Sequence, residues 1–286
     1  MISNVNRAQL AKEALTASSK LRKRYGYDLS APVNIFDLCD MAGVPVRFVD
    51  INMEGMYVQL GEGVRSMIFV SALRPFHRKI YTCAHEFGHH YFGHGFSVDQ
   101  ITSSPGGYSE EEFLVDTLAS FLLLPPIGLK AAFAKRNIEI NKATAIDCFM
   151  IASCFGVGYS TMINHLAFNA HIGELQASRL LRQSLKAIKS SIAGEDLGAT
   201  LFAFDRHAAN RTIDMETTGF ILFPTDVEIE ETANLVFYKH VPLGNLYKAI
   251  QSGITRVYST TKDWSCFVRI QQFKYVGLGK FRHLSA

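Results

Sequence analysis

The chain has 286 residues, 48% hydrophobic and 19% charged, with a formal net charge of +3. That length predicts two or three domains rather than one small one, and the apolar content excludes a disordered chain. The charge is too small to announce a nucleic-acid binder by itself, and no run of ~18 apolar residues marks a membrane span. Five scattered cysteines, an odd number, fit a reducing compartment. The opening Met1-Ile2-Ser3-Asn4-Val5-Asn6-Arg7 lacks the apolar core of a signal peptide, so the chain reads as cytoplasmic with no membrane partner.

Residues 8–24 carry apolar positions at helical spacing and end in the basic Lys20, Arg22, Lys23 and Arg24, which predicts a first helix. A short helix at 34–42 follows, then strands near 45–50, 55–60 and 66–71, and a helix at about 77–93. A loop rich in Ser, Pro and Gly at 97–108 leads to a helix at 109–124. The strand Met67-Ile68-Phe69-Val70-Ser71 reads equally as an internal strand or as an edge on which an extended peptide would pair by β-augmentation.

The helix at 77–93 contains His85-Glu86-Phe87-Gly88-His89. Histidines at i and i+4 share a helix face and can bind one Zn²⁺, while the glutamate between them sits where it can take a proton from water. A catalytic zinc needs a third protein ligand. The pattern HExxHxxGxxH would require Gly at 92 and His at 95; the chain has Phe92 and Gly95, which excludes it. The other common solution is a glutamate on a second helix, with an acidic residue one turn later to hold a ligand histidine. Among Glu110, Glu111 and Glu112, only Glu112 has an aspartate four residues on, and that Asp116 lies in an apolar run where a lone carboxylate needs a partner. Glu112 is therefore the expected third ligand and Asp116 its neighbour in the second layer. His94 and Tyr108 are candidates for the cleft or for stabilising an oxyanion, alongside Tyr57 and Tyr91, and His94, between Gly93 and Gly95, reads equally as a helix C-terminal cap. His90, turned about 100° around the helix from His89, reads as a surface residue, and Cys83 as a small core residue.

Residues 126–190 read as all-helical, and Phe149 to Leu166 has helix-turn-helix form, with Ala152 allowing close approach and Gly156 making the turn. The second helix, Ser160 to Asn169, contains no Arg or Lys for phosphates or guanines. Arg179, Arg182, Lys186 and Lys189 on the next helix read more readily as a solvated face. The region is thus expected to serve as a scaffold or partner contact rather than primarily to bind DNA. After the polar stretch 189–196, apolar runs at 199–204, 219–223, 233–238, 254–259 and 264–273, with a short helix at 243–251, predict a β-rich α+β domain. The expected organisation is 1–127, 128–190 and 191–286, an α+β protein overall.

These residues resemble the ImmA/IrrE family of bacterial and phage metallopeptidases. The segment Lys79 to His89 is similar to its RFTLAHELGH helix, and Glu112 to Pro125 to its ExxA(N/D)xFAxxLLMP helix, with Val115 and Leu118 in place of the usual Ala and Phe. The likeness extends over about residues 8–170. It implies a thermolysin-like minimal zinc-peptidase domain with Zn²⁺, or Mn²⁺ or another divalent metal in vivo. It also implies narrow proteolysis of an XRE-type transcriptional repressor that de-represses a stress, DNA-damage or mobile-element regulon. Some radiation-response relatives end in a sensor-like GAF domain; residues 191–286 do not match it residue by residue, and no ligand is inferred. Two rival readings are a transcriptional regulator that uses the metal fold as a platform, and an antagonist that binds the repressor without cutting it.

Overall fold

The first helix is longer than its apolar pattern predicts: α1 runs Asn4–Arg24. In the computed structural model, which describes residues 4–59, 66–94, 97–98, 109–230 and 233–284, its buried stripe is Ala14, Ala17, Ser18, Leu21 and Arg22, a spacing of three and four. The stripe packs on α4 (Glu110–Leu123). Arg22 belongs to it because its guanidinium donates to the carbonyls of Asp28, Ala31 and Leu122, clasping the loop after α1 and the end of α4. Burial pulls its pKa down to about 10.

Asn34 starts α2 (Ile35–Ala42), its side chain accepting from the amides of Phe36 and Asp37, and Gly43 ends it with a left-handed φ of 74°. Strands β1 (Val46–Val49), β2 (Gly55–Val58) and β3 (Met67–Ser71) lead to α3 (Phe76–Phe92). The sheet runs Gly277–Leu278, β1, β3, β2 and β4 (Ser97–Val98). β3 is parallel to β1 through Val46↔Ile68 and Phe48↔Val70, and antiparallel to β2 through Gly55↔Val70 and Tyr57↔Ile68. Of the two readings of Met67–Ser71, the edge reading is therefore wrong. Both ladders of β3 are occupied and Ile68 and Val70 are fully buried, so no peptide can add to it.

The chain divides into two compact units, residues 1–127 with 274–281 and residues 128–273 with 282–286. The second contains α5 (Pro126–Ala134) from Gly128 on, α6 (Ala145–Cys154), α7 (Tyr159–Phe168), α8 (Glu174–Leu181) and α9 (Leu185–Ala193). Thr144 and Asp147 form a reciprocal capping box at the start of α6, and α6 and α7 meet at 100°. The run Glu110–Ala134 has the length and mean hydropathy (1.5) of a membrane span, yet 61% of that window is buried in the fold, as in core helices.

Eight strands complete this unit: β5 (Leu201–Ala203), β6 (Thr212–Glu216), β7 (Phe220–Phe223), β8 (Val227–Ile229), β9 (Leu235–Val241), β10 (Gly244–Ala249), β11 (Gly253–Ser259) and β12 (Ser265–Gln271), among the described residues. They form two sheets, β5-β7-β10-β9 and β6-β12-β11-β8. The helix expected at 243–251 is strand β10, paired on both sides with β7 and β9. Its Leu246 and Ala249 are buried as core positions, an apolar spacing of three that mimics a helix in sequence. β6 escapes an apolar pattern because it carries buried Asp214, which accepts two hydrogen bonds from Arg269 (2.7 and 2.8 Å) and one from Arg282 (2.7 Å).

Candidate metal centre

The site is built where α3 and α4 run closest. Gly88 permits this: a Cβ there would lie 2.9 Å from Cβ of Val115 on α4. Ser109 starts α4 by accepting from the amide of Glu112 at 3.1 Å, which fixes the backbone of the turn that carries Glu112. His85 Nε2 and His89 Nε2 lie 3.2 Å apart; Glu112 Oε2 is 3.4 Å from the first and Glu112 Oε1 is 3.5 Å from the second. An ion bound tetrahedrally at 2.0–2.1 Å would separate its ligand atoms by about 3.3–3.4 Å. The three donors form such a triangle, the one group of its kind among the described residues. The imidazoles are buried, while the Glu112 side chain is 33% exposed, so the triangle is closed behind and open at Glu112.

Each histidine is held from its far side. Asp116 Oδ1 lies 2.8 Å from His85 Nδ1, the contact that its apolar surroundings demand. Tyr81, one turn before His85 on α3, places its hydroxyl 3.3 Å from the carbonyl and 3.4 Å from Oδ1 of Asp116, and 3.3 Å from Ser120 Oγ. Burial, then the neighbouring carboxylate, push the Tyr81 pKa well up, which keeps it a phenol that can donate. His89 Nδ1 lies 3.2 Å from His94 Nδ1.

Glu86 is fully buried on α3, next to Gly55 of β2. A Cβ at residue 55 would stand 2.5 Å from Thr82 Cγ2, 2.8 Å from the Phe69 carbonyl oxygen and 3.4 Å from Glu86 Cγ. Gly55→Ala is therefore expected to cost about 1–3 kcal/mol through overpacking and to displace Glu86. Thermal unfolding and turnover should fall together, and wild-type values for both would show that β2 does not constrain Glu86.

Glu110 and Glu111 lie outside the triangle; Glu110 instead accepts from the Asn6 side chain. His90 is not the surface residue that the helix angle suggests. It is half-buried against Tyr57, whose hydroxyl donates to Ser66 Oγ at 2.9 Å and lies 3.0 Å from His90 Nδ1, so that nitrogen donates to Tyr57. Burial lowers the His90 pKa. Cys83 is in the core, its Sγ 3.7 Å from that of Cys39. Tyr91 packs on Phe92, and Tyr108 lies outside the described residues. Tyr81 and Gly55 were missed in the sequence. A hydroxyl-bearing ring at the position where the resembled motif carries Phe is the one signal that marks Tyr81.

Residues 39–166 match the family described as the IrrE N-terminal-like domain, peptidase M78. That stretch is similar to the IrrE N-terminal-like metallopeptidases. It reaches from the middle of α2 to the end of α7, so it holds the whole donor triangle, Glu86 and the α6–α7 pair. No curated protein matches the chain. Likeness to a metallopeptidase family implies a divalent metal, and two imidazoles plus one carboxylate at tetrahedral spacing are a donor set that fits one. Asp116→Asn is expected to keep the fold and to weaken metal affinity roughly 10–100-fold. Wild-type affinity in a chelator competition would reduce Asp116 to an ordinary helix residue.

Proposed function

We propose that the chain is a zinc-dependent endopeptidase that cuts one dedicated XRE-type repressor and so releases a stress, DNA-damage or mobile-element regulon. The observation that carries this is the triangle of His85, His89 and Glu112, 3.2–3.5 Å on each side, with Glu86 buried on the same helix. When bound, the ion supplies Lewis acidity toward a peptide carbonyl and an acidified water. Glu86 takes the proton from the attacking water and returns it to the leaving amine nitrogen. Asp116 holds His85 in the tautomer that presents Nε2. The repressor as substrate follows from the family likeness, and a single dedicated target predicts that casein is a poor substrate.

The regulator reading has one point in its favour, the 100° bend between α6 and α7. Against it, the outward positions of α7 are Ser160, Thr161, Asn164, Ala167 and Phe168, all uncharged. On α9, Lys186 is paired with Asp196 at 2.7 Å and Lys189 donates to the Ala199 carbonyl at 2.6 Å, which draws two cations out of the basic stripe. The test is to incubate the chain with an XRE-type repressor drawn from the genes that flank its own and to follow repressor mass and operator occupancy together. Metal-dependent fragments support the endopeptidase. Operator release with intact repressor would make the chain an antagonist, and operator binding by the chain itself would make it a regulator.

A further inference from the structure

We propose that His94 is the positioning residue for His89: it accepts the Nδ1–H of His89 and thereby fixes that ring's orientation and tautomer, as Asp116 does for His85. The inference rests on the metal-centre reading and assigns the half of its support that the acidic helix does not provide.

The arrangement starts in the backbone. α3 ends at Gly93, whose φ of 71° and ψ of 33° lie in the left-handed region that glycine enters without strain. The chain reverses there, and the His94 amide donates back to the His89 carbonyl at 3.1 Å. The reversal returns the His94 ring to the last turn of the helix. It stacks on Phe92, with centroids 5.6 Å apart and planes 17° from parallel, and meets His89 edge-on at 5.3 Å. In that position the two Nδ1 atoms are 3.2 Å apart.

Two imidazole nitrogens at this distance share one proton, because facing N–H groups or facing lone pairs repel. His89 Nε2 faces His85 Nε2 at 3.2 Å and Glu112 Oε1 at 3.5 Å, the place for a cation, so it carries the lone pair. The proton of neutral His89 is then on Nδ1. His94 Nδ1 must accept it, and the proton of His94 resides on Nε2. The two donor histidines thus have unequal supports: a carboxylate behind His85 and a second imidazole behind His89. A residue five positions on, across a left-handed glycine, completes the second layer without a further helix.

Two variants separate acceptor from packing. His94→Phe keeps a ring to stack on Phe92 and has no acceptor. His94→Asn loses the ring, but its Oδ1 stands close to where Nδ1 was. Zinc is titrated into the metal-free full chain against a chromophoric chelator, for wild type, both variants and Glu112→Ala, with the metal-free unfolding temperature of each recorded. The expected result is zinc affinity roughly 10–100-fold below wild type for His94→Phe and most of that loss recovered in His94→Asn. His94→Leu serves as the acceptor-free variant if His94→Phe does not fold. Wild-type affinity in the acceptor-free variant overturns the proposal, as does equal weakening in His94→Asn, which would make the ring's packing the support. Failure of the wild type to bind zinc, or undiminished binding by Glu112→Ala, would instead remove the metal-centre reading and the role of His94 with it.

Discussion

Glu86→Gln is expected to leave metal content and unfolding temperature unchanged while lowering peptide hydrolysis by about 10²–10⁴-fold, the usual contribution of a positioned general base. The amide has the size of the carboxylate but cannot take a proton from water. Glu86 is fully buried next to Gly55, so the substitution changes charge without changing the space that the side chain fills. The variant should still bind the repressor, which makes it a trap for the uncut complex. Turnover near the wild-type rate would show that another group moves the proton.

Glu112→Ala is expected to reduce zinc from about one ion per chain to near zero, since two imidazoles alone make a weak site. His85→Ala should do the same. Glu110→Ala and Glu111→Ala should retain the metal, because their side chains lie outside the triangle. Metal content of dialysed protein, measured by atomic emission, gives the answer. Full zinc in Glu112→Ala with loss in either neighbour would make that neighbour the third ligand. The chelated wild type is the companion control.

The parts of the site that were legible in the sequence are those fixed by helical repeat. His85 and His89 four apart declare a shared face, and Glu112 is picked out from three adjacent glutamates by its four-residue relation to Asp116. The 2.8 Å contact between Asp116 and His85 is the tertiary partner that a carboxylate in an apolar run requires. What could not be read depends on backbone reversal or sheet order. His94 reaches His89 because Gly93 is left-handed, and no residue period encodes that return. Gly55 matters because β2 lies against α3, and β3 is internal because Gly277–Leu278 and β1 continue the sheet beyond it. His90 departs from its helical-wheel position for the same reason, since Tyr57 of β2 covers it. In the second unit the apolar runs located β5, β7, β9, β11 and β12. β6 hides its strand pattern behind Asp214, which is buried against Arg269 and Arg282, and β10 carries its apolar residues at a spacing that also suits a helix.

X-ray absorption on the zinc-loaded chain reads out directly whether one ion is held by two imidazoles and a carboxylate, without needing the substrate. The expected spectrum shows only nitrogen and oxygen neighbours at about 2.0–2.1 Å, with the outer scattering of two imidazole rings. Sulfur at about 2.3 Å would contradict it, placing the metal instead on Cys39 and Cys83, whose Sγ atoms lie 3.7 Å apart on α2 and α3.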